Sequence, residues 1–106
     1  MLRKAFVIQA KPGMAAEYES RHNPIWPELQ QTLKSHGAAN YSIFLREGTG
    51  ELFGYLEVED EEKFRKIAET DVCRRWWQFM AEVLVCDSSN GFKGKEETLR
   101  EVFHLH

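Results

Sequence analysis

The chain has 106 residues, with 42% hydrophobic and 29% charged side chains and a net charge of −3. That is one globular domain, residues 1–106, able to bury roughly two-thirds of its unfolded surface without staples. There is no basic footprint for nucleic acid or an anionic membrane, no apolar run of membrane-spanning length, no signal-peptide cleavage pattern, and only Cys73 and Cys86 as cysteines, too few for a disulfide scaffold. The expectation is a cytoplasmic protein that binds neither nucleic acid nor membrane.

Residues 4–10, "KAFVIQA", are rich in strand formers and end at the turn chemistry of Lys11-Pro12-Gly13. Residues 14–22 read as a helix with Ala15, Tyr18 and His22 near one side. Asn23-Pro24 ends it, because a residue before proline avoids the α region. A second helical piece starts at Ile25 or Pro27 and runs to His36, with proline confined to its first turn and Gly37 as terminator. Strands are predicted at 39–46, "ANYSIFLR", and 52–58, "LFGYLEV", joined by a hairpin over Glu47–Glu51. Tyr41, Ile43 and Leu45 fall on one face, Ser42 and Phe44 on the other. Leu52, Leu56 and Val58 alternate with Phe53 and Tyr55. Large apolar groups on both faces mean that something covers each.

A charged helix over 60–69 turns Phe64 and Ile67 inward. Thr70 or Asp71 caps a helix over 72–84 that carries Trp76 and Trp77. A loop spans 86–95, and "REVFHLH" reads as the last strand. The order is β-α-β-β-α-β with each helical region broken in two, the ferredoxin-like arrangement: an α+β fold with a four-stranded antiparallel sheet and helices on one face.

Two stretches carry chemistry. In "EYESRHNPIWPEL", Tyr18 and His22 stand four apart and point into the same space. An imidazole there gives or takes a proton near neutral pH; equally, it caps the negative end of the helix. In "TDVCRRWWQFM", the consecutive Trp76 and Trp77 point about 100° apart. One can pack under the sheet while the other lines a pocket whose flat face suits a sugar. Both can also be core residues. His104 and His106 share a strand face but lack a third ligand at metal-site spacing. There is no phosphate loop and no nucleophile elbow.

The segments "RHNPIWPEL", "LKSHGAANYSI" and "TDVCRRWW", with the opening "RKAFVIQ" and the closing "LREVF", resemble the L-rhamnose mutarotase family over nearly the whole chain. The resemblance implies a homodimeric α+β barrel that interconverts the α and β anomers of L-rhamnose in rhamnose metabolism, without cofactor or metal. It places the catalytic acid at His22 and substrate contacts at Tyr18, Tyr41, Trp76 and Trp77. The other expectation for this fold is a non-catalytic ligand-binding or stress-related dimer, or a cofactor-free oxygenase. Such a binding module keeps the tryptophan platform but has no use for His22.

Overall fold

A computed structural model describes residues 1–86 and 94–106, so most of the loop predicted at 86–95 lies outside the described residues. The chain forms β1 (Leu2–Gln9), α1 (Ala15–Arg21), α2 (Pro27–Ser35), β2 (Ala38–Arg46), β3 (Glu51–Val58), α3 (Glu61–Arg65), a 3-10 turn (Lys66–Glu69), α4 (Asp71–Ala81) and β4 (Glu97–Leu99). The strands make one antiparallel sheet in the order β2-β3-β1-β4. This is the predicted ferredoxin-like arrangement, with the first and third strands central.

The sheet separates its two faces by alternation. Leu52, Gly54, Leu56 and Val58 of β3 are buried, and the residues between them are half-exposed. The register sets Phe6 opposite Gly54 and Ile8 opposite Leu52, and Ile43 and Leu45 opposite the same two positions from the other side. This face lies under the helices. Tyr18 of α1, Leu29 of α2, and Val72, Trp76 and Met80 of α4 join Leu52 in the main core. On the reverse face lie Val7, Phe53 and Phe44, paired across three strands. Phe44 is 66% exposed.

One irregularity places Tyr41. The β2–β3 register slips between Ala39 and Ser42, and Asn40 there takes a left-handed φ of 50°, which asparagine tolerates better than most residues. Its side-chain amide donates to Glu57 Oε1 at 2.8 Å. The extra residue is a β-bulge. It lets both Ala38 and Tyr41 serve the helix side, which strict alternation of positions three apart forbids. Tyr41 then meets Phe6 edge-on, with ring centroids 6.2 Å apart.

Helix ends follow the local chemistry. Asp60 caps α3 through bonds from the Glu62 and Lys63 amides, and the Thr70 hydroxyl accepts from the Cys73 amide at the start of α4. Pro27 opens α2 behind an extended Trp26. The Asn23–Pro24 peptide bond is cis.

Two predicted elements change. The helix expected over 72–84 starts at Asp71 and stops at Ala81, because the residues after it are drawn to the end of β1. Lys11 N–H donates to the Val83 carbonyl at 2.8 Å, and Val85 N–H to the Gln9 carbonyl at 2.9 Å. The last strand is Glu97–Leu99, and the predicted strand "REVFHLH" at 100–106 has no regular structure. For 103–106 the cause is a missing partner. Leu99 pairs with Ala5, so β1 runs out only a few residues further along. The last cross-strand tie is the two-bond pair of Arg3 with Glu101, 2.9 Å in each bond. Beyond it Val102, Phe103 and Leu105 are about four-fifths exposed.

Gly54 is required by a close approach. A methyl group built on it falls inside the Phe6 ring. Gly54→Ala is therefore expected to cost about 1–3 kcal/mol, the usual range for overpacking, as read by urea unfolding. An unchanged midpoint would show that Phe6 has somewhere else to go.

Candidate active site

His22 stands at the end of α1 as its C-cap residue. Its ring does more than cap. Nδ1 lies 2.9 Å from the Tyr18 carbonyl, which only accepts, so Nδ1 carries the proton and donates it. The atom that titrates is Nε2. The imidazole lies against the Tyr18 ring, 4.4 Å between centroids, and meets Trp76 edge-on at 5.1 Å. Burial pushes its pKa below the ordinary histidine value, and the bond to the Tyr18 carbonyl offsets part of that shift. The neutral form, with an open lone pair on Nε2, is therefore favoured near neutral pH. The residue stands at the helix end, as the cap reading expects, but its lowered pKa disfavours the cation that reading invoked.

The five residues singled out from the sequence meet on one cavity of about 1140 Å³ between the sheet and the helices: Tyr18, His22, Tyr41, Trp76 and Trp77 all line it. The tryptophans divide as their 100° separation requires. Trp76 is buried in the main core and Trp77 is half-buried beside it. Burial raises the Tyr18 phenol well above the usual tyrosine value. Tyr41 is 41% exposed by area, yet its phenol is also raised, first by burial and then by the charges of Tyr18, Glu96 and Cys73. Both observations hold because Tyr41 lines a cavity that water can enter while protein surrounds its hydroxyl. Both phenols remain O–H donors at neutral pH.

The supporting residues were less legible. Trp26 meets Trp76 edge-on at 5.1 Å and stacks on Phe79 at 5.4 Å, so the corner "IWPEL" packs onto α4. Arg21 clamps α1 to the same helix. Its Nε donates to Glu17 Oε2 at 2.8 Å, its Nη1 donates to the Phe79 carbonyl at 2.6 Å and lies 2.8 Å from Glu82 Oε1, and its guanidinium sits 4.2 Å from the Phe79 ring centroid. An arginine next to the histidine on a surface-like helix carried no signal of this. Cys73 is a buried residue of α4, consistent with the small-core reading. Among the described residues, no group of three or more His, Cys, Asp or Glu side chains is arranged to hold a metal ion.

A family model described as L-rhamnose mutarotase matches residues 3–105. The L-rhamnose mutarotase of Opitutus terrae is 53% identical over 105 residues, 99% of each chain. The crystal structure of an L-rhamnose mutarotase from Formosa agariphila superposes with a TM-score of 0.88 at 32% identity, covering 100% of both chains. A putative antibiotic biosynthesis monooxygenase from Nitrosomonas europaea, at TM-score 0.63 and 10% identity over 97% of this chain and 100% of its own, shares the fold alone.

The division between the tryptophans can be measured. Trp76→Ala is expected to cost about 3–5 kcal/mol, as for truncation of a buried aromatic, and Trp77→Ala markedly less. Equal losses for the two variants in urea unfolding would contradict the assignment of Trp76 as the anchor.

Proposed function

This chain belongs to the L-rhamnose mutarotase family, and on that footing we propose that it interconverts the α and β anomers of L-rhamnose through ring opening, with His22 as the acid–base group. The observation that carries the proposal is the His22 ring itself: its Nδ1 is held by the Tyr18 carbonyl, and its Nε2 is left as the proton carrier at an aromatic cavity. Nε2 takes the proton of the anomeric hydroxyl. The electron pair released at that oxygen forms the carbonyl, and the bond from the anomeric carbon to the ring oxygen breaks. The ring oxygen takes a proton from a neighbouring hydroxyl, that of a tyrosine or a water. The open aldehyde turns about its bond to the next carbon, and closure on the other face reverses each transfer. One group near neutrality serves both directions. Trp77 offers a face for the apolar side of the sugar, and Tyr18 and Tyr41 offer hydroxyls.

A binding module on the same fold needs the aromatic wall but not the held imidazole. The names of the full-length relatives favour the enzyme. We place the activity in the cytoplasm: two cysteines and the lack, among the described residues, of a helix long and apolar enough to cross a membrane fit that setting.

Exchange NMR of the anomeric protons of L-rhamnose tests the activity. His22→Ala and His22→Gln are expected to lower the catalysed rate by roughly 10²–10⁴ while the sugar still binds; near-normal exchange in either variant ends the role of this residue. The lowered pKa adds a signature. In the fold His22 holds its proton less tightly than in the unfolded chain, so its contribution to stability is fully present above the ordinary value of 6.5 and is lost as pH falls through the lower folded value. The acid limb of the kcat/KM profile should lie below 6.5, and a limb above it would contradict the assignment.

We also propose a symmetric homodimer, in which a second copy covers the reverse face of the sheet. Phe44, Phe53, Val7 and Leu99 form its apolar centre. Ion pairs of Arg3 with Glu101 and Arg46 with Glu51 border it, and Glu97 stands opposite Val7 at its β4 edge, so charge lies around the row of Phe44, Phe53 and Val7, the apolar-centre and polar-rim pattern of a self-complementary contact. Phe44→Glu should yield monomers in light scattering at micromolar concentration. A well-behaved monomer for the unmodified chain would refute the dimer.

A further inference from the structure

We propose that Glu96 contacts the sugar, its carboxylate accepting hydrogen bonds from adjacent ring hydroxyls of the pyranose. The identity of the sugar rests on the mutarotase reading; the contact rests on placement. The backbone is fixed on either side of this residue. Lys95 N–H donates to the Val85 carbonyl at 2.9 Å, and Glu97 pairs with Val7 in the sheet. Thr98 pairs with Phe6, on the face under the helices, and alternation puts Glu96 on that face too. Both line the cavity that holds Tyr18, His22 and Tyr41. The charge of Glu96 is felt at the Tyr41 phenol. Of the other carboxylates on the cavity wall, Glu61 is taken by Lys4 at 2.5 Å, and Glu19 and Glu47 are not among the charges that act on that phenol.

The cavity wall also carries the amide oxygens of Asn23, Gln30 and Asn40, but each is a single acceptor, where a carboxylate offers two oxygens to adjacent hydroxyls. Every hydroxyl that a neutral pyranose buries is a donor in need of an acceptor. Indole N–H groups only donate. The His22 Nδ1 proton already goes to the Tyr18 carbonyl, and Nε2 is reserved for the anomeric hydroxyl. Each phenol offers one oxygen. An ionised carboxylate accepts through two oxygens, a geometry suited to neighbouring hydroxyls. It also strengthens the hold of Tyr41 on its own proton, which keeps that phenol a donor.

Titration of L-rhamnose followed by tryptophan fluorescence tests this, with the unmodified protein, Glu96→Gln, and three deoxy sugars lacking the hydroxyl at C2, C3 or C4. Glu96→Gln is expected to weaken L-rhamnose binding roughly 10- to 100-fold, the worth of a lost charge-assisted contact, with no change in melting temperature because the side chain is exposed. At least one deoxy sugar should bind the unmodified protein with a similar loss and show no further loss against Glu96→Gln. A dissociation constant within about twofold of the unmodified protein's, or deoxy penalties that are all the same in both proteins, overturns the contact. Binding without anomer exchange in the unmodified protein would sink the mutarotase reading and leave the Glu96 result standing. No binding of L-rhamnose at all would overturn both.

Discussion

The joint between the end of α1 and the end of α4 is the contact on which the site depends. α1 has seven residues, too few to hold a helix in water by itself. Its conformation and direction come from tertiary contacts, and the densest of these is Arg21. A planar guanidinium satisfied by acceptors on both helices and in the turn after α4 fixes distance and angle together, which a lysine's point charge cannot do. Once Arg21 is held, the next residue has little freedom. The His22 amide donates to the Glu19 carbonyl at 3.1 Å, and its ring returns to Tyr18. The packing of Trp26 on Trp76 and Phe79 then sets the wall against which that ring rests.

The sheet imposes the second constraint. Alternation has a period of two, so a slip of one residue would exchange the faces. Gly54 opposite Phe6 allows a ring to lie over bare backbone and gives the cavity a floor close to the sheet. The bulge at Asn40 adds Tyr41 to that floor without moving Ala38 out of the smaller core of Leu56 and Val58. Cavity side and reverse side are thus decided by one register, and each residue belongs to one of them.

Much of this was legible in the sequence because local chemistry and tertiary environment agree. "ANYSIFLR" and "LFGYLEV" alternate as their faces demand, and Pro27, Gly37 and Thr70 mark helix ends whose reasons are steric or capping. The resemblance supplied the five site residues, and spacing explained why Tyr18 and His22 meet. What stayed hidden has a common cause: it depends on partners distant in sequence. "REVFHLH" has the composition of a strand, but a strand also needs a neighbour, and β1 ends opposite Val102, so 103–106 have none. With the last strand placed there, the alternation of Glu96 and Thr98 could not be seen, nor the face they share. Arg21 looked like one charge among many on a solvated helix, since its acceptors at Phe79 and Glu82 lie some sixty positions away. The end of α4 at Ala81 likewise follows from bonds to Gln9 and Lys11, not from any breaker in "AEVLV".

A single physical cause then tunes the site. Burial disfavours charge, so it pushes an imidazole down and a phenol up. It does both here, to His22 and to Tyr18 and Tyr41. His22, Tyr18 and Tyr41 are consequently neutral at rest, so a neutral sugar meets no ion at these three groups. On the proposed mechanism, charge arises in transit, as Nε2 becomes protonated and the hydroxyl that supplies the ring oxygen becomes an anion. The imidazolium is then the stronger acid because its site resists the charge, and it returns the proton readily at whichever face the ring closes. A more basic histidine would hold that proton and slow the return step; an ionised phenol would take it away. For a reaction that runs through the same transfers in both directions, the arrangement favours passing the proton over keeping it.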